Sequence, residues 1–401
     1  MKIILTTLLL AILFQGYSQN ISDNKITFQY TQLPLVKIEK VFQTYETRVT
    51  HGYLSSNEDS LSNYALRQEM AQQNYEAALV NYRRQKRNSL TQYYKSMAAW
   101  EKSVNSGVLA VKPVKPKMPH LPSYQEVVQP RLNSPMSDEK VKQAIDIQGF
   151  KKGLGGSILT IDIQAIRNIR IVQKKSGSGK STKYKYDCEY SLPVLIKFET
   201  PVDGVVLQEV ILRNVQKYKM KDFKSQYDFK IYWLESQEMF YSELENYART
   251  KAIKFANEYI NNQLGFVTKS RKTEIYTVKK FKNYDYSDLT NAYSTTVQSL
   301  SLVSKDKEHK GAKAKLEAAL AQWNEIMMES NSYDKKARIN DKVSAMIRCN
   351  IAEIQLWLNQ FDEAQATLNL AENARVLKAK NHVRSTKAFY TNSKTRWNVH
   401  H

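Results

Sequence analysis

From Ser60 to Val104 the chain contains neither proline nor glycine, and the next proline-bearing stretch, Ala110 to Pro122 (AVKPVKPKMPHLP), holds four of the nine prolines. Proline inside an α-helix removes a hydrogen bond and clashes with the preceding turn. The first stretch is therefore open to one long helix, and the second is closed to α-helix altogether. Leu61, Tyr64, Ala65, Met70, Tyr75, Ala78, Leu79 and Tyr82 recur at helical intervals in the first. In the second, prolines three apart, interleaved with lysines, favour a stiff polyproline-type segment. Such a segment is expected to be a spacer, which puts a domain boundary within residues 106–135.

The flanking regions read as β. Lys25 to Val49 alternates β-branched and aromatic residues with polar ones around Pro34, which predicts a pair of strands. Leu159 to Ala165 and Tyr184 to Leu192 alternate with a period of two. Pro201-Val202-Asp203-Gly204 supplies a turn between two further strand runs, with proline's fixed φ and glycine's tolerance of positive φ. The loop from Lys174 to Thr182 contains Gly179-Lys180-Ser181-Thr182, but a phosphate loop needs glycine where Lys174 stands, and a helix rather than a strand afterwards. Nucleotide binding is excluded on that ground. A second helical run covers 236–264 and ends at Gly265.

At the N-terminus, Lys2 precedes the apolar run Ile3 to Phe14, and Gly16 and Ser18 follow. The run is shorter than the ~20 residues needed to span a bilayer. This pattern predicts a secretory signal cleaved after Ser18. The only cysteines, Cys188 and Cys349, lie far from it, so lipid anchoring is not expected, and nothing in their spacing speaks for a bond between them. The expected location is periplasmic or outer-membrane-associated, without a transmembrane span in the mature chain. The net charge is +21, from 60 basic and 39 acidic side chains, and attracts polyanions. For an exported chain these are anionic lipid headgroups, polysaccharides and acidic proteins, not nucleic acid.

The most specific pattern is near the C-terminus. Asn350 to Ala371 (NIAEIQLWLNQFDEAQATLNLA) places small residues, Ala352 and Ala364, where two antiparallel helices must approach closely, with Leu368 and Ala371 on the packing face. It resembles the tetratricopeptide repeat. Ala312, Leu316 and Ala319 repeat the spacing of Ala364, Leu368 and Ala371, with Leu289 to Val303 as the partner helix. The resemblance implies that Met346, Glu353, Leu356 and Trp357 line a concave, partner-binding face. The whole layout is similar to a group of exported Bacteroidota envelope proteins of uncharacterised function, which implies an accessory role in outer-membrane assembly, secretion or surface structures.

The expected fold is therefore α+β and multidomain. A signal peptide (1–18) precedes an N-terminal strand pair with a long helical region (19–105) and the Pro/Lys-rich linker (106–135). A central antiparallel β section with the helix 236–264 covers 136–283, TPR-like helical hairpins cover 284–378, and a basic tail covers 379–401. The six histidines show no HExxH or Cys/His ligand spacing, and no GxSxG elbow occurs. No catalytic residue, cofactor or metal ligand is assigned. Two functions lead, a protein-interaction scaffold using the concave helical face and an electrostatic binder of anionic polymers or lipid headgroups; an enzyme with a site assembled from distant residues ranks behind them. The second would use Lys174, Lys175, Lys180, Lys183, Arg83, Arg84 and Arg87, together with the tail, whose stretch from Arg375 to Arg396 has no acid.

Overall fold

A computed structural model describes residues 19–107, 109–177, 183–303 and 310–401. The expected signal peptide (1–18), the Gly179-Lys180-Ser181-Thr182 motif and residues 304–309 lie outside the described residues. The architecture is α+β, built on two hydrophobic cores. The cores cut across the boundaries expected from sequence. The two N-terminal strands, β1 (Ile21–Gln32) and β2 (Thr44–Thr50), do not pair with each other. Each joins a different core.

The first core is organised by a five-stranded sheet in the order β3-β2-β4-β7-β8, with β3 at Lys151–Lys152, β4 at Ser157–Ile163, β7 at Val194–Thr200 and β8 at Gly204–Ile211. β2 runs parallel to β3 and β4, whereas β4, β7 and β8 are antiparallel, so the sheet is mixed and not purely antiparallel as expected. Next to β4, Gly156 is needed for close approach, since a Cβ there would sit 2.1 Å from the carbonyl oxygen of Thr44. The expected turn joins β7 to β8, with Gly204 at φ +67° and the Thr200 hydroxyl accepting from the Asp203 amide.

The long helices are numbered with the rest in chain order: α1 (Gly52–Asn105), α2 (Asp138–Ala144) and α3 (Gln226–Leu264). α3 starts ten residues before the expected point because Ser225 and Asp228 form a reciprocal capping box. Phe240, Leu244, Ala248, Ala252, Ala256, Ile260 and Leu264, four apart, are its buried seam. A second sheet, in the order β5-β6-β9 (Arg167–Ser176, Lys183–Ser191, Gln216–Lys219), packs Tyr186, Cys188 and Tyr190 into the same core. Cys349 belongs to the other core, and both thiols are free.

The proline-rich segment does not bridge two domains. It turns back and runs along α1. The Trp100 indole donates to the carbonyl of Ala110 (3.0 Å), the rings of Tyr75 and Tyr124 meet edge-on at 5.8 Å, and Asn57 exchanges hydrogen bonds with the backbone of Asn133. The 14 residues from 110 to 124 thus cover 25 residues of helix, about 37 Å, and their advance of about 2.7 Å per residue is close to that of polyproline II. Pro113, Pro116, Pro119 and Pro122 are half-buried while Val114, Lys115 and Lys117 between them are exposed. With three residues per turn, every third position faces the helix.

Together they form an arm about 80 Å long on the helix rise. The helix and the returning segment are pinned at one root. Tyr53 is buried there, its hydroxyl accepting from the Met136 amide, and Glu245 of α3 accepts from the Ser134 amide while paired with Arg249 and Arg131.

The second core holds the C-terminal helices: α4 (Ser287–Leu300), α5 (Lys310–Met327), α6 (Asp341–Trp357), α7 (Phe361–Asn373) and α8 (Leu377–His400). α4/α5 and α6/α7 are hairpins, the second turned by Asn359 at φ +62°. Ala312, Leu316, Ala319, Ala352, Ala364, Leu368 and Ala371 are all fully buried, as the spacing required. Against them lies a two-stranded antiparallel ribbon, β1 with β10 (Val267–Val278), in continuous register from Ile21↔Val278 to Gln32↔Val267. The expected basic tail is α8 instead. Its Ala379, Val383 and Tyr390 are buried, and Arg396 ties the cores together by donating to the carbonyls of Leu33 and Asn262. Among the described residues no helix is long and apolar enough to cross a membrane.

Candidate functional site

The face expected to bind a partner is occupied by the chain itself. Met346, Glu353, Leu356 and Trp357 are 1%, 0%, 2% and 5% exposed, so none of them offers a surface. The Trp357 ring meets Phe28 and Tyr30 of β1 edge-on at 5.3 and 5.2 Å, and Phe389 of α8 lies beyond at 6.1 Å. The ribbon is held as a peptide would be held. Asn350 of α6 accepts from the Tyr276 amide and donates to the Tyr276 carbonyl, both at 2.9 Å, so one side-chain amide completes the edge of β10.

Glu353 is the centre of this contact. Arg271 donates to it in the two-pronged manner, Nε to Oε1 at 2.7 Å and Nη2 to Oε2 at 2.5 Å. The Thr273 hydroxyl (3.1 Å), the Trp357 indole (2.9 Å) and the Tyr390 hydroxyl (3.3 Å) complete the set. Burial opposes ionisation of Glu353, but the Arg271 charge and these donors outweigh it and hold its carboxyl below the usual range. Beside it, Tyr276 bonds both Glu274 and Nδ1 of His382, while Nε2 of His382 is buried without a partner. Burial, aided by Arg271, holds the imidazole below its ordinary value and therefore neutral. The Glu353 cluster is a structural node, and two of the residues that the repeat resemblance assigned to recognition, Glu353 and Trp357, build it.

The exposed candidate is the outer face of the β5-β6-β9 sheet. Residues directly opposite in an antiparallel pair share a face, and the register places Arg170, Lys174, Lys183, Lys185, Lys217 and Lys219 together with Asp187 and Glu189. Six cations thus meet two carboxylates. Lys174 pairs with Asp187 at 2.5 Å, which raises its pKa, and Lys217 with Glu189 at 3.5 Å. Among the described residues no carboxylate is in salt-bridge range of Arg170, Lys183, Lys185 or Lys219.

Of the expected basic residues, Lys174 and Lys183 belong to this face. Lys175, opposite Tyr184, is on the other one. Arg83, Arg84 and Arg87 are exposed on α1, a separate element. Lys185, which closes the basic stretch beginning at Lys174 in the sequence, belongs to this face as well. Lys217 and Lys219 join only through the pairing of β9 with β6, which no local pattern announces.

Fold and surface together define an α+β protein with two interlocked cores, a projecting helix-polyproline arm and a cationic sheet face. No protein-family model, curated protein or solved structure matches the chain.

Proposed function

We propose that this is an exported, non-catalytic binding protein of the bacterial envelope that holds an anionic polymer against the outer face of β5, β6 and β9. The observation carrying this reading is the grid of six cations and two carboxylates on one exposed face. Neighbouring strands are about 4.8 Å apart and alternate residues nearly 7 Å apart along each strand. A polymer with carboxylates or phosphates every few ångströms meets several cations at once, none of which has to leave water. Export follows from Lys2 and the apolar run after it, and it selects envelope polymers over nucleic acid.

Fluorescence polarisation of labelled polygalacturonate, standing for acidic polysaccharides, tests this. Reversing Lys185→Glu and Lys219→Glu together is expected to weaken binding by about tenfold or more, at ~1 kcal/mol for each exposed charge contact. Wild-type binding should vanish near roughly 0.5 M salt, where screening acts within a few ångströms. Binding that ignores the reversal, or that survives the salt, overturns the proposal. A protein scaffold acting through Met346, Glu353, Leu356 and Trp357 would first have to expel the ribbon. Partner capture lost in Trp357→Ala at unchanged stability would restore that reading.

A further inference from the structure

Among the described residues, the tip of the arm carries several large apolar side chains left exposed. Leu109, Val111 and Val114 are 104%, 94% and 89% exposed, and Val104 on the last turn of α1 is also exposed. Contiguous exposed apolar residues at a turn mark a surface that meets something. Exposed lysines flank them along the chain, Lys95, Lys102, Lys112, Lys115 and Lys117, and from Lys95 to His120 the only acid is Glu101. Trp100 lies among them, with its indole N–H on the Ala110 carbonyl and the Lys112 ammonium 5.5 Å from its ring centroid.

From this geometry we infer that the arm tip docks on an anionic phospholipid surface. Three features favour lipid over a protein or a second copy. The lysines complement the negative potential of an anionic leaflet, with each such residue adding to attraction near the surface. A tip flanked by five exposed lysines and one acid would repel the same tip on another copy. The α1 helix sets the tip about 80 Å from its root by its rise, so a bilayer can be reached without contact by the body.

The same structure limits the depth of insertion. The extended segment 109–122 has no regular backbone hydrogen bonding, and unpaired peptide groups do not enter the hydrocarbon. Docking is therefore interfacial, with the valines and Leu109 among the headgroups and upper acyl chains and the lysines at phosphate level. Because the prolines of this segment already hold it extended along α1, little chain entropy is lost on docking.

This inference uses a surface other than the polymer-binding face, so the two readings fail separately. The experiment is co-sedimentation of the full chain with phosphatidylcholine vesicles, with and without a minority of phosphatidylglycerol. Wild type and Lys185→Glu/Lys219→Glu are expected to sediment with the anionic vesicles and not with the neutral ones. Leu109→Glu/Val111→Glu, which alters only exposed side chains, is expected to lose at least about tenfold in binding. Quenching of tryptophan fluorescence by bromine-labelled lipid should fall in Trp100→Phe. The inference is overturned if wild type fails to sediment with anionic vesicles, if it sediments equally with neutral ones, or if the tip variant binds as wild type does. Loss of binding in the face variant alone would assign the lipid contact to the sheet and overturn it as well.

Discussion

Trp357 and Trp100 both stand near the end of a helix and meet opposite surroundings. Each follows an amphipathic helical pattern on a helix that the spacing predicts. Trp357 is enclosed by β1 and α8 and donates to a buried carboxylate. Trp100 has one extended strand beside it and is otherwise open. A helix's own periodicity says which face is apolar. It does not say how much of the chain will return to cover that face, and here that amount decides between a core and a surface.

The sharpest way to break the contrast is to remove one partner of the buried pair. Glu353→Ala leaves the Arg271 guanidinium without its carboxylate in the protein interior, and losses of this kind run to about 3–5 kcal/mol. Urea denaturation should show this as a fall in midpoint. Arg271→Met with Glu353→Leu should recover much of it, because two apolar groups leave no charge to desolvate. A single variant as stable as wild type would mean that the ribbon is held by apolar packing and not by this node.

Next in size is the response to acid. His382 is held below its unfolded value and stays neutral, so the unfolded chain takes up a proton first. Its contribution to stability is complete above about pH 6.5 and is lost as pH falls below that, by up to ~1.4 kcal/mol per pH unit for one proton. Glu353, also depressed, adds a second loss in the same direction at lower pH. His382→Gln should flatten the decline in thermal midpoint between pH 7 and 5. An unchanged slope would remove His382 from this account.

Much of the body was legible because helix hairpins need small residues at fixed places. Ala312, Ala319, Ala352, Ala364 and Ala371 stand where the spacing put them, all fully buried. The strand runs were legible from alternation, and the turn at 200–204 from proline and glycine. The register of β1 with β10 was not legible, since it joins Ile21–Gln32 to Val267–Val278 across most of the chain between them and local alternation fits many partners equally well. Missing that pairing is what turned a core face into an apparent binding face. The linker shows the same division. Proline spacing specified its extended conformation, but the half-buried row of Pro113, Pro116, Pro119 and Pro122 appears only once α1 lies beside it.

The smallest expected effects lie on the arm and separate its two faces. Tyr75 packs on Tyr124 across the arm, whereas Leu66 and Met70 point away from the prolines and are exposed. Leu66→Gln and Met70→Gln should each change stability by no more than about 0.5 kcal/mol, as surface substitutions usually do. Tyr75→Ala should cost about 0.5–1.5 kcal/mol from the lost ring pair. That loss belongs to the arm and not to either core, so global unfolding reports it poorly. Hydrogen exchange along α1 reports it well, because helix amides around residue 75 open when the returning strand lets go. Faster exchange in Tyr75→Ala, with an unchanged denaturation midpoint, is the expected result. Equal acceleration in Leu66→Gln would show that the outer face is also covered, and the arm would then resemble the body more than it differs from it.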